Sequence, residues 1–303
     1  MEAPIPPLRK EQIELVLTIN VSIDIVSLLC SLFAILALSV LCPYAKGQTN
    51  RVSIRLLIYI AIMDAMYTAF QIVSYKLVSD SFLCSFSVWA LVYFTLASVF
   101  LRLAVVINIQ LAVVKSTKYA TITEFHYLLV ATIFPLLLSI APACANLFGW
   151  TTHEGTCWFR DDGKDKNFIW QWFSYYMWVV FSVLYSIITI LLIVRYLRKQ
   201  KSEIQEDMEA AVPRIPLECN PLPASQSPGL IKQTVYRTCW YPIIPTISQS
   251  FVMVNALILT ARKEIIFPVY LIAITGTALQ GTLTAIVFAN DPAVEEAGTA
   301  PPA

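Results

Sequence analysis

The stretch that decides the fold is residues 84–114, CSFSVWALVYFTLASVFLRLAVVINIQLAVV, which holds one charged side chain, Arg102. About 20 apolar residues in a helix cross the hydrocarbon core of a bilayer, and this run exceeds that length. It must be helical, because lipid offers no partner to a free backbone amide. The rest of the chain resembles it. Hydrophobic residues make up 57% of the 303, charged residues only 14%, and the mean hydropathy is +0.67. So little polar surface cannot cover a soluble domain of this size, so the composition indicates a polytopic membrane protein. A net charge of +1 argues against nucleic acid or another polyanion as partner.

Runs of similar character predict an all-α bundle of seven spans, at about 15–41, 54–78, 84–114, 126–148, 168–197, 233–260 and 266–290. The segment before the first has no apolar core followed by a cleavage site, so that span is expected to serve as its own insertion signal. One connection is long, residues 198–232. It carries Pro213, Pro216, Pro221, Pro223 and Pro228, which predicts a short helical extension and then a flexible segment. The expected organisation is a bundle over 1–292 and a short cytoplasmic tail over 293–303.

Lys and Arg in the loops set orientation. With the N-terminus outside, the inner side carries Lys46, Arg51, Arg55, Lys115, Lys118, Arg195, Arg198, Lys199, Lys201, Arg214, Lys232 and Arg237. The outer side carries Arg9, Lys10, Lys76, Arg160, Lys164, Lys166, Arg262 and Lys263. Twelve against eight favours this orientation.

The cysteines fit it. Of the seven, Cys30 and Cys144 lie within spans, and Cys42, Cys219 and Cys239 fall inside, where thiols stay reduced. Cys84 and Cys157 alone face outward, which suggests one disulfide tying the loop after span four onto span three. Two unrelated free thiols are the alternative.

Intramembrane charges mark a function or a pair. Arg102 is about 27 Å along span three from Cys84, and Asp64 is about 15 Å from the inner end of span two, so the two are expected to pair. Asp24 lies nearer the outer side and is expected to bond an amide or water. Asn108, Gln110, Gln249, Asn255 and Gln280 offer amides to neighbouring helices. Aromatic residues crowd the start of span five: Trp170, Trp172, Tyr175, Tyr176 and Trp178. Some belong to an interfacial belt, while Trp172, Tyr175 and Tyr176 are candidate pocket walls.

Catalytic signatures are missing. The only histidines are His126 and His153, and neither HExxH nor GxSxG occurs. No enzyme activity, metal or cofactor is expected. The last span has no lysine for a Schiff base. The Asn20 glycosylation triplet lies within a span and should go unused. No inverted repeat suggests a transporter.

Three motifs carry a resemblance: RTCWYPIIPTISQS (237–250), LQGTLTAIVFANDPAV (279–294), and CWF (157–159) before span five. They resemble fungal seven-helix receptors related to the slime-mould cyclic AMP receptors and to glucose-receptor-like proteins. The resemblance implies a G-protein-coupled receptor of the plasma membrane, with a small extracellular ligand and a heterotrimeric G protein as partners. It implies helix-switch roles for Tyr241, Pro242, Pro245, Gln280, Gly281, Asp291 and Pro292. The basic inner ends Lys115, Lys118, Arg195, Arg198, Lys199, Lys232 and Arg237 would meet the G protein or anionic lipid. The chain departs from rhodopsin-like receptors. VVKSTKYAT (113–121) stands in place of Asp-Arg-Tyr, and FANDPAV (288–294) in place of Asn-Pro-x-x-Tyr.

Overall fold

A computed structural model describes residues 8–41, 48–115, 120–151, 155–160, 165–211, 243–244, 247–259, 261–262 and 264–289. These form helices α1 (Lys10–Leu41), α2 (Gln48–Tyr75), α3 (Phe82–Lys115), α4 (Ala120–Cys144), α5 (Asp165–Gln171), α6 (Met177–Ala211), α7 (Ile247–Leu259), α8 (Phe267–Ala278) and α9 (Gln280–Ala289). Two strands, β1 (Phe148–Thr151) and β2 (Thr156–Phe159), lie between α4 and α5.

Five segments are long and apolar enough to cross a bilayer: Lys10–Val40, Arg55–Tyr75, Phe82–Asn108, Phe125–Cys144 and Ile169–Tyr196. They correspond to the first five expected spans. The last expected span is a bent pair, α8 and α9, meeting at 46°, and makes a sixth crossing if counted as one. Of the expected span 233–260, the described parts are residues 243–244 and α7, and α7 is too short to cross alone. Among the described residues, five helices, or six if the bent pair is counted as one, are thus long and apolar enough to cross a bilayer. The long loop begins as helix to Ala211, and 212–242 lie outside the described residues.

α3 is the axis of the bundle. In its most apolar stretch 83% of residues are buried, against 28% in α1 and 22% in α4. It packs on α2, α4 and α6. The rim helices turn Leu29, Phe33 and Leu36 of α1 and Leu137 of α4 outward, as lipid-facing surfaces do when no water must be kept out.

α4 continues through Pro135 and Pro142, because neighbouring helices compensate freed backbone groups in an apolar bundle. It ends where Asn146 takes a positive φ of 55°. Leu147 N–H then donates to Pro142 C=O at 3.1 Å, and Asn146 N–H to Ala143 C=O at 3.0 Å. This double bond to the last turn is a Schellman stop. It corrects the expected span 126–148: Phe148 already belongs to β1.

β1 and β2 form an antiparallel hairpin with Phe148 opposite Phe159 and Trp150 opposite Cys157. Cys157 is joined to Cys84 by a disulfide, with Cα atoms 5.5 Å apart, so the alternative of two free thiols is set aside. Ser85 Oγ donates to Phe148 C=O at 3.0 Å, and Arg160 Nε to the same carbonyl at 2.9 Å. Arg160 also pairs with Asp80 at 2.9 Å.

Gly149 is required by this crossing. A Cβ there would collide with Arg160 Nε and sit 2.9 Å from Asp80 Oδ1. Gly149→Ala should displace Arg160 and destabilise the protein by about 1–3 kcal/mol, seen as a lower unfolding midpoint. Thermal unfolding in micelles measures this. An unchanged midpoint would mean that Arg160 moves aside at no cost.

Candidate functional site

The site is a buried polar network where α2, α3 and α9 meet. Ser98 and Arg102 are one turn apart on α3, and Gln280 and Thr284 one turn apart on α9, so each pair projects from one helix face. Asp64 of α2 stands between the pairs. Asp64 and Arg102 are each 2% exposed, and Arg102 Nη2 reaches Asp64 Oδ2 at 2.6 Å.

The carboxylate is fully engaged. Oδ1 accepts from Ser98 Oγ at 2.7 Å and from Gln280 Nε2 at 3.0 Å. Oδ2 accepts from Arg102, and Thr284 Oγ1 lies 3.2 Å away. Arg102 in turn donates from Nη1 to Ser98 Oγ and from Nη2 to Thr284 Oγ1, the latter at 3.1 Å. Thr284 has one hydroxyl proton and two acceptors in range, Asp64 Oδ2 and the Gln280 carbonyl at 2.9 Å. Arg102 Nε has no partner among the described residues. A buried ion pair tolerates desolvation only when its remaining lone pairs and protons are satisfied, and here nearly all are.

From Gln280 the network runs toward the hairpin. Its Oε1 lies 3.5 Å from Ser248 Oγ and from Gln249 Nε2 of α7, at the long limit of a hydrogen bond. Gln249 Oε1 accepts from the Tyr175 hydroxyl at 3.1 Å. Tyr175 meets Trp158 of β2 edge-on, ring centroids 6.1 Å apart. Polar and aromatic contacts thus connect the disulfide-tied hairpin to the buried ion pair.

Tyr175 reaches inward because the helix is wound differently there. Trp172–Tyr176 form a π-helical turn between α5 and α6, and Ser174, Tyr175 and Tyr176 are all buried. An α-helix sets successive side chains about 100° apart and would turn one of three away. Such π turns often mark functional positions. Tyr175 and Tyr176 belong to the packed core beneath the hairpin, with Cys84, Val88, Phe148, Cys157 and Phe159. Trp172 is partly buried and its ring lies 5.3 Å from that of Tyr176. The three candidate pocket walls are therefore mutually packed. Trp170 and Phe173 point outward, as belt residues would.

The remaining sequence-derived positions divide. Gly281 presses α9 against α1: a Cβ there would collide with the Ser27 and Ser31 hydroxyls. Arg198 and Lys199 are exposed on α6, and Lys115 is the last residue of α3. Tyr241, Pro242, Pro245, Asp291, Pro292, Lys118, Lys232 and Arg237 lie outside the described residues. Asp24 is buried, and neither of its carboxyl oxygens meets the expected amide or any other hydrogen-bond partner among the described residues. Ser98 and Thr284 were not singled out by sequence. They stand four residues from Arg102 and Gln280, a spacing that by itself does not mark them out.

Neither a family model nor a curated protein sequence shows significant similarity to the chain.

Proposed function

We propose that the chain is a seven-helix receptor of the plasma membrane, with its N-terminus outside, that senses a small extracellular ligand and activates a heterotrimeric G protein. The observation that carries this reading is the continuous path from Trp158 through Tyr175, Gln249 and Gln280 to the Asp64–Arg102 pair. A ligand bound at the hairpin end acts on Tyr175. The two 3.5 Å contacts of Gln280 are the weakest bonds of the path, and they lie beside the α8–α9 bend. A two-state system needs such a joint, because a ligand shifts an equilibrium only through contacts that differ between its states. Arg198 and Lys199, just past the apolar span of α6, would meet the G protein. The ligand class stays at small polar molecules, with nutrients and cyclic nucleotides as the first probes.

The experiment is nucleotide exchange on a G protein co-reconstituted with the chain, screened against nutrients and cyclic nucleotides. Ligand-dependent exchange supports the reading.

A seven-span transporter is the second reading, favoured by one feature. A helix broken at a buried polar site is how many transporters bind substrate at mid-membrane, and α8–α9 is such a break. Substrate flux in liposomes free of G protein, with no nucleotide exchange, would select it.

A further inference from the structure

α1 carries a single polar stripe on an otherwise apolar helix. Asn20, Asp24, Ser27 and Ser31 recur at helical spacing on one face, and each is at most 2% exposed. The ends of the stripe fix what it faces. Thr275 Oγ1 of α8 donates to Asn20 Oδ1 at 3.3 Å, and Gly281 of α9 abuts the Ser27 and Ser31 hydroxyls. Asp24 lies between these contacts, so the register sets it opposite the α8–α9 bend at Leu279.

Both carboxyl oxygens of Asp24, Ser27 Oγ and Ser31 Oγ are buried without hydrogen-bond partners among the described residues. The hydroxyls of Thr18, Ser22 and Ser39 on the same helix instead bond back to the carbonyl four residues earlier. Ser27 and Ser31 are thus turned toward the interface rather than toward their own backbone.

No described cation is in a position to neutralise Asp24. The elements packed most extensively on α1 are α2, α8 and α9. α8 and α9 contain no acidic, basic or histidine side chain, and their titratable residue is Tyr270 of α8. α2 brings Tyr67 and Tyr75 within electrostatic reach of Asp24. The Tyr75 oxygen accepts from Gln71 at 2.7 Å. Arg51 and Arg55 occupy the first turns of α2, at the end remote from Tyr67, and Asp64 is committed to Arg102. An ionised carboxylate here would have neither donor nor counter-charge, whereas a neutral carboxyl needs neither.

We propose that Asp24 is a proton-binding site: its carboxyl carries a proton while α1 is closed on the α8–α9 bend, and releases it when that contact opens. On opening, the carboxyl O–H bond breaks, the proton passes to water, and the hydrated carboxylate keeps the electron pair. By linkage, proton binding favours the closed packing. This inference does not depend on the receptor reading.

The test uses the full chain in detergent micelles. Infrared spectra at neutral pH should show the carbonyl stretch of a protonated carboxylic acid, shifted by exchange into heavy water. The band should vanish in Asp24→Asn and persist in Glu264→Gln, a change at an exposed acid. The closed state binds more protons than the unfolded chain, so the wild-type unfolding midpoint should fall as pH rises from mildly acidic to mildly alkaline. Asp24→Asn should flatten that slope. The wild-type band and slope test the proposal even if the variant misfolds. A wild type without the band, or a band retained in Asp24→Asn, overturns it. So does stabilisation by sodium without pH dependence, which would mean that a bound cation neutralises Asp24.

Discussion

Asp64→Asn should destabilise the protein by about 3–5 kcal/mol, more than Arg102→Leu does, and the double change should cost less than the two singles added together. The asymmetry follows from the bonding. Asp64→Asn leaves a buried guanidinium with Ser98, Thr284 and at most one neutral amide oxygen but no counter-charge, and arginine cannot shed its proton to escape. Arg102→Leu leaves a carboxylate that still has Ser98, Gln280 and Thr284 around it, and that carboxylate can take up a proton. Removing both charges removes the stranded group, so the coupling should be about 0.5–3 kcal/mol. Unfolding midpoints of the four proteins in micelles measure the cycle. Additive losses would show that the two side chains stand near each other without depending on each other.

Loss of the Cys84–Cys157 bond should be comparably severe. The two cysteines are 73 residues apart, and closing a loop of that length restricts the unfolded chain by about 4 kcal/mol in the chain-entropy account. Few contacts can substitute. The Arg160–Asp80 pair is 35% and 52% exposed, a setting in which ion pairs contribute about 0–1 kcal/mol. Cys84→Ser with Cys157→Ser should lower the unfolding midpoint to that of reduced wild type, and reductant should not lower it further. Equal midpoints for oxidised wild type and the double variant would show that the hairpin is held by its other contacts.

Both of these features could be read from the chain, for different reasons. The disulfide followed from counting which cysteines the expected topology puts outside, and the ion pair from the expense of placing a charge in an apolar run. Each rests on a residue type that is rare in its setting. Ser98 and Thr284 are not rare. Thr68, Thr132 and Ser186 also sit within spans and simply bond the carbonyl four residues back, so nothing in the sequence separates a hydroxyl that caps an ion pair from one that satisfies itself. The hairpin was hidden too, because two four-residue strands fall in a short connector between strong helical signals.

The bend between α8 and α9 inverts a local expectation. Prolines are the usual mark of a kink, yet α4 passes through two of them as one span, while the break falls beside Leu279, with no proline there. Its surroundings are tertiary: Gln280 reaches across to Asp64, and Gly281 lets α9 approach α1. Propensity along the chain cannot register either contact.

The π-helical turn at Trp172–Tyr176 has a consequence for the whole of α6. It works as a phase shifter. A wider turn takes up extra chain without lengthening the rod, so side chains after it are rotated relative to those before it, by about 100° per residue absorbed. The stripe that buries Val179, Ser182, Ser186, Thr189 and Ile193 is therefore out of step with the stripe of α5. Winding this turn as α-helix with every residue kept would rotate that inner stripe by about 100°, whereas deleting one residue as the turn rewinds would leave the stripe in place. A single position in a stretch that looks interchangeable thus sets the azimuth of the 35-residue helix that follows.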